Sequence, residues 1–205
     1  DLHYPLRRQR QMCIRDGKKT KALKLQIDIL INNAGFGGHG DFYNRDLSLE
    51  NKMIQVNIVS LTNLTHLFLQ DMRERKTGKI LNVASTAGFI PGPLQAVYFA
   101  TKAYVNSFSL AISQELIGTG VSVTALCPGP VATEFAKVGN LEGIEAFKSA
   151  ASAKSVAECG YKAMELGRML VINDIKISFL LNWIVPFVPR KLVLLLTQKS
   201  MEKSD

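Results

Sequence analysis

Four short apolar runs, each closed by glycine or proline and separated by helical patterns, restrict this chain to an alternating α/β architecture. Residues 27–33 (IDILINN) are β-branched and apolar and give way to a glycine-rich loop at 35–40. Residues 79–84 (KILNVA) form the next run, followed by a Gly/Pro loop at 88–93. Residues 121–127 alternate β-branched and small side chains before Pro128 and Gly129 break them, and 169–172 form a last short run. Between them, 49–76, 98–117 and 153–166 read as helices stopped by Gly78, by Gly118 and Gly120, and by Gly167. Ser48 is the expected N-cap of the first. Strands alternating with helices at this spacing build βαβ units, hence a parallel sheet with helices on both faces.

A chain of 205 residues fits one domain with a substantial core. Its net charge of +8 invites a nucleic-acid reading, but the location of the charge argues against it. Residues 1–25 carry eight Lys or Arg against two Asp, whereas residues 26–205 carry seventeen basic and fifteen acidic groups. The domain is nearly neutral and implies no polyanionic partner. Residues 1–20 read as a basic leader whose composition predicts disorder, and 21–205 as the folded unit.

Cys13, Cys127 and Cys159 are odd in number and widely spaced, which suits a reducing, cytoplasmic setting and offers no cysteine zinc site. His3, His39 and His66 form no ligand cluster, so no metal is expected. There is no secretory signal and no run of about 18 apolar residues that would span a bilayer.

The chemistry centres on Tyr98 and Lys102. Residues four apart share a helix face, which puts an ammonium beside a phenol. A phenol of pKa near 10 is a poor base, and a neighbouring cation should lower that value. Tyr98 would then take a proton from an alcohol or give one to a carbonyl oxygen. Standing alone, the pair would serve equally well as a surface contact. Ser85 ends the 79–84 strand, where its hydroxyl would hold a substrate oxygen or, more plainly, cap the loop that follows.

Ser85, Tyr98-x-x-x-Lys102, the upstream Asn32-Asn33-Ala34-Gly35 and the downstream Pro128-Gly129-Pro130-Val131-Ala132-Thr133 together resemble the short-chain dehydrogenase/reductase superfamily. The resemblance covers about residues 27–172. It implies a Rossmann-type doubly wound parallel sheet and a nicotinamide cofactor, NAD or NADP. It implies that Ser85, Tyr98 and Lys102 are catalytic, with Asn57 kinking its helix and holding a water that relays protons from the lysine. Asn33, Ala34 and Gly35 would stabilise the sheet and line the adenine-ribose side of the cofactor. Pro128, Gly129, Val131 and Thr133 would hold the nicotinamide carboxamide, and Lys102 the ribose beside Tyr98. Subunits of the family commonly pair through the helices equivalent to 49–76 and 98–117, so a homo-oligomer is expected.

The family's phosphate-binding Thr-Gly-x-x-x-Gly-x-Gly turn precedes the Asn-Asn-Ala-Gly motif by a whole βαβαβ half, and here 31 residues with one glycine, Gly17, precede Asn32. The expected fold therefore lacks its first βαβαβ half, and the 27–33 strand should expose an apolar edge. Gly35-Phe36-Gly37-Gly38-His39-Gly40 satisfies G-x-G-x-x-G but leads into the polar stretch 41–45, so it reads as a flexible loop. The expected activity is the interconversion of a secondary alcohol and a ketone on a lipophilic substrate; the alternative is a non-catalytic remnant. Residues 175–200 are strongly apolar, broken by Pro186 and Pro189, and should pack on the core or close an apolar pocket; peripheral membrane contact is the other reading.

Overall fold

The computed structural model describes residues 20, 23 and 25–203. The basic leader expected over 1–20 therefore lies outside the described residues, apart from Thr20.

Four parallel strands form the central sheet: β1 (Ile29–Asn32), β2 (Gly78–Val83), β3 (Val121–Leu126) and β4 (Leu170–Val171), in that spatial order. Each crossover carries helix. Between β1 and β2 runs α1, built from Leu47–Ile54, a π-helical stretch Gln55–Ser60, and Leu61–Arg75. Helix α2 (Ala96–Glu115) joins β2 to β3, and α3 (Ala153–Glu165) precedes β4. This is a Rossmann-type α/β fold.

Side-chain alternation along the strands divides the core into two layers. Ile80 of β2 pairs in register with Val123 of β3, and both bury completely with Met72 of α1 and Leu116 just past α2. Leu81 and Leu126 point the other way and pack on Val156 and Met164 of α3. Helix α3 contacts β2 and β3. β1 ends the sheet among the described residues; Ile29 and Ile31, on the same face as Leu81, stay 40% and 52% exposed, while Ile27 and Leu30 pack on the core. A buried amide chain stitches the other layer together. Asn32 Nδ2 donates to Thr65 Oγ1 (3.0 Å) and Asn82 Oδ1 (2.8 Å), and Asn82 Nδ2 donates to Ser109 Oγ (2.9 Å).

Several boundaries differ from expectation. The N-cap of α1 is Asp46, not Ser48: its carboxylate accepts from both the backbone N–H and the hydroxyl of Ser48. A carboxylate is the stronger acceptor and also complements the helix dipole. Helix α1 stops at a left-handed Lys76 (φ 55°), because Gly78 is already paired with Val121 as the first residue of β2. Helix α2 begins two residues before Tyr98. A two-residue parallel pair, Val131–Ala132 with Ala151–Ser152, was not foreseen.

Beyond β4 the chain continues as Ile175–Phe179, π-helical Leu180–Ile184 and a 3-10 turn Val185–Phe187, then α4 (Arg190–Met201). Pro186 and Pro189 interrupt it as their chemistry requires. No helix among the described residues is long and apolar enough to cross a membrane.

Candidate active site

The loops leaving the carboxyl ends of β1, β2 and β3 converge on one end of the sheet, where open α/β sheets bind ligands. Ser85 follows β2 and N-caps the 3-10 turn Thr86–Phe89, its Oγ accepting from the Ala87 N–H at 3.1 Å. The same side chain influences the Tyr98 phenol and lies 3.4 Å from the carbonyl oxygen of Pro128, to which it donates. Of the two roles weighed for this serine, the cap is the one seen in these bonds. Thr86 Oγ1 donates to the same carbonyl at 3.2 Å.

Tyr98 and Lys102 stand one turn apart on α2, both buried. The Lys102 ammonium donates to Val83 O at 2.8 Å and sits 5.8 Å from the centre of the Tyr98 ring. Burial pulls the lysine down to about 8, opposed by the Cys127 thiol beside it. Burial pushes the Tyr98 phenol up to about 12, with the nearby Ser85 hydroxyl opposing. This reverses the lowering expected from a neighbouring cation. The ammonium is turned onto a backbone carbonyl, and desolvation of the phenolate outweighs its attraction.

Asn57 is almost completely buried inside the π-helical stretch of α1, a departure from α-helix that is often found at functional sites. Its Oδ1 accepts from Phe36 N at 3.2 Å, and its Nδ2 donates to Phe36 O (3.0 Å) and Thr101 Oγ1 (3.1 Å). One side chain therefore clamps the loop after β1 to both α1 and α2. Gly35 fills the remaining gap, since a Cβ there would come 3.1 Å from Asn57 Oδ1 and 3.5 Å from Lys102 Nζ.

Asn33, Ala34 and Gly35 lie exposed along the rim after β1, while the sheet-stabilising bonds come from Asn32. Pro128 is buried beside Ser85, and the Gly129 N–H is held by Asn173 Oδ1 at 3.2 Å. Val131 is engaged in the small parallel pair, and Thr133 Oγ1 accepts from Phe135 N at 3.3 Å. The loop 35–40 is tied down rather than free: Arg45 donates to His39 O, Gly40 N to Leu94 O, and His39 Nε2 lies 2.7 Å from Met201 O. It leads to a helix whose N-terminus is already taken by Asp46, with Glu50 in its first turn. That end offers little to a phosphate.

Three neighbours escaped sequence reading. Phe135 covers Tyr98 with ring centres 5.4 Å apart, and Gly37 permits this approach, because a Cβ there would sit 2.9 Å from the Phe135 ring. Cys127, pushed up to about 12 by burial, packs against Asn106 with Sγ 3.1 Å from Oδ1. Met201, on the last turn of α4, joins the cluster of Met53, Tyr98 and Phe99. Only Cys127 left a signal, its place at the strand end immediately before Pro128. A separate apolar groove of about 580 Å³ lies between Phe89, Ile90, Pro91, Phe99, Ala100 and Leu194. Ala96, Ala100 and Ala103 turn toward it while Tyr98 and Lys102 turn inward, so Tyr98 and Lys102 do not line it.

The residues present fit the nicotinamide end of a dinucleotide. Lys102 carries three donors, and among the described residues only Val83 O takes one. Gly35 lies against it, a Cβ there coming 3.5 Å from Lys102 Nζ. The 128–133 turn would hold such a ring and Lys102 its ribose, with Asn33–Gly35 toward the adenine-ribose side. For the pyrophosphate, the described residues present no glycine turn at a free helix N-terminus.

Residues 8–142 match the short chain dehydrogenase family. The chain is 37% identical over 139 residues to the ketoacyl reductase HetN of a Nostoc species, covering 68% of this chain and 48% of that protein. It is 41% identical over 129 residues to the human very-long-chain 3-oxoacyl-CoA reductase, covering 61% and 41% respectively. It thus spans about half the length of the curated relatives it matches. A Sphingobium yanoikuyae short-chain dehydrogenase solved in complex with NADPH superposes with a TM-score of 0.68 at 25% identity, covering 75% of this chain and 59% of that one. A Streptomyces avermitilis short-chain dehydrogenase gives a TM-score of 0.75 at 20% identity over 89% and 73%, a likeness of fold. Fold, buried Ser85–Tyr98–Lys102 constellation and sequence likeness agree: this chain belongs to the short-chain dehydrogenase family.

Proposed function

We propose that the protein is an NAD(P)-dependent oxidoreductase that interconverts a secondary alcohol and a ketone on a lipophilic substrate. The observation that carries this reading is the burial of Ser85, Tyr98 and Lys102 together at the end of β2, with the Lys102 ammonium 5.8 Å from the centre of the Tyr98 ring. A nicotinamide, when bound, supplies or accepts the hydride. Ser85 fixes the substrate oxygen by a hydrogen bond that strengthens as negative charge develops on it. Tyr98 passes its proton to that oxygen during reduction and takes it back during oxidation. With its phenol pushed up to about 12, Tyr98 is fully protonated at neutral pH, the form that donates. Lys102 and Asn57 position the pair: Lys102 from below the ring, Asn57 by fixing the loop that carries Gly35.

A lipophilic substrate is supported by the relatives named as ketoacyl and very-long-chain 3-oxoacyl-CoA reductases. The aromatic cover of Tyr98 by Phe99 and Phe135 is the kind of wall an acyl chain would meet. A homo-oligomer through α1 and α2 belongs to the same proposal, although Phe108 of α2 packs against its own core.

Titration of NADH and NADPH against the protein, followed by nicotinamide fluorescence, tests the reading. Binding of either cofactor, with turnover of 3-oxoacyl thioesters, is the expected result. Failure to bind both would favour the non-catalytic alternative.

A further inference from the structure

Packing on the core accounts for only one side of the C-terminal segment. Leu181, Val193 and Thr197 are buried and Leu194 borders the apolar groove, yet the opposite side is open and almost entirely apolar. Ile175, Phe179, Leu180, Trp183, Ile184 and Phe187 are 43–84% exposed and recur at helical spacing. On α4, Leu192, Leu195, Leu196 and Lys199 repeat the i, i+3, i+4, i+7 pattern on the side away from the buried Val193 and Thr197. Two successive helical segments thus carry a second apolar stripe that faces water, far more than scattered surface leucines would give.

The charges around this surface are of one sign. From Ile175 to Met201 the sequence contains no carboxylate, while Lys176, Arg190, Lys191 and Lys199 are exposed. Among the described residues, none of these four forms an ion pair. The rest of the domain is nearly neutral, so the surplus belongs to this surface. Trp183 lies in the middle of the first stripe, and Arg190 and Lys191 open the second. An apolar strip with an aromatic anchor and a fringe of unpaired cations is complementary to the boundary between acyl chains and anionic headgroups. We infer that residues 175–201 dock this protein on the surface of an anionic lipid bilayer, lying in the interface without spanning it. The buried side of the same segment contacts the reaction site through Met201, so docking would hold the catalytic cleft close to a lipid surface.

Trp183 is the sole tryptophan in the sequence and reports on the surface directly. Its emission is followed in the full chain on adding vesicles of phosphatidylcholine, with and without phosphatidylserine, alongside vesicle co-sedimentation and light scattering. The expected result is a blue shift and co-sedimentation that are strongest with phosphatidylserine. Changing Arg190 and Lys191 together to Gln should weaken that binding about thirty-fold, from roughly 1 kcal/mol per surface charge. Leu195→Ser with Leu196→Ser, at exposed positions, should weaken binding to both vesicle types while leaving circular dichroism unchanged. Unaltered emission with both vesicle types overturns the inference. So does a blue shift without lipid that accompanies a doubled mass, since a second copy would then cover the surface. Equal binding to both vesicle types would overturn the role given to the cations.

Discussion

Lys102 should cost the protein stability at neutral pH, and Lys102→Met should recover it. The lysine is 6% exposed, and burial pulls it from 10.5 down to about 8. At about 1.36 kcal/mol per pKa unit, holding the ammonium there costs roughly 3 kcal/mol at pH 7. Methionine matches the lysine stem in length and shape but carries no charge. Against the gain stands the lost hydrogen bond to Val83 O, worth about 1–2 kcal/mol once the carbonyl is left buried. The net expectation is a stabilisation of roughly 1–2 kcal/mol at pH 7, or about 2–8 °C in Tm for a chain of this size. The pH dependence identifies the cause. Because the folded-state pKa lies below the unfolded value, the unfolded chain binds more protons between pH 8 and 10.5. The wild type therefore gains stability across that window, and the penalty is complete only below it. Urea unfolding at pH 7 and pH 9.5 should show the advantage of Lys102→Met shrinking by roughly 2 kcal/mol. Tyr98 and Cys127 titrate in both proteins and largely cancel in the difference. A variant less stable than wild type at pH 7, or an advantage unchanged at pH 9.5, would refute the reasoning.

Asn32→Ala removes both bonds that join β1 to α1 and β2, leaving Thr65 and Asn82 short of partners in a dry layer; urea unfolding should show a loss of about 2–4 kcal/mol. Ile31→Lys places a charge on the open face of β1, where the isoleucine is 52% exposed, and should change stability by less than about 0.5 kcal/mol while reducing light scattering on storage. Aggregation unchanged by that substitution would show that the strand's face is covered in solution. Tyr98→Phe keeps the ring contacts with Phe99 and Phe135, so it should abolish turnover and leave NADPH affinity within a few-fold; turnover comparable to wild type would place the proton elsewhere.

The fold was legible because its strands are short, apolar and punctuated. Each of 27–33, 79–84 and 121–127 overlaps the strand that forms there, the bounds differing by at most two residues at either end. What the sequence concealed depends on competition between neighbours. Ser48 and Asp46 are both good caps, and only the folded turn decides that the carboxylate takes the hydroxyl as well as the N–H. The sign of the Tyr98 shift was illegible for a related reason. Spacing places an ammonium near a phenol but says nothing of the dry surroundings or of Val83 O, which claims the ammonium first. Phe135 and Met201 reach the site through loop and terminal geometry, where residue type carries no periodic signal.

Ser85 and Asn57 show why structural and chemical readings of a motif need not compete. Ser85 Oγ accepts from Ala87 N, which starts the turn after β2, and in doing so the hydroxyl is held beside Tyr98 and Pro128 O. The cap is what holds the oxygen in place, so its order before a substrate arrives comes from the fold. Asn57 works in the same way one layer deeper. Its amide closes on both backbone atoms of Phe36 and on Thr101, which neighbours Lys102 on α2. The π-helical stretch sets that amide inward, and the loop it grips carries Gly35 across the face of the lysine. Buried polar groups this densely bonded have little freedom to move, and a site assembled from them can present a proton donor and an oxygen anchor without first reorganising.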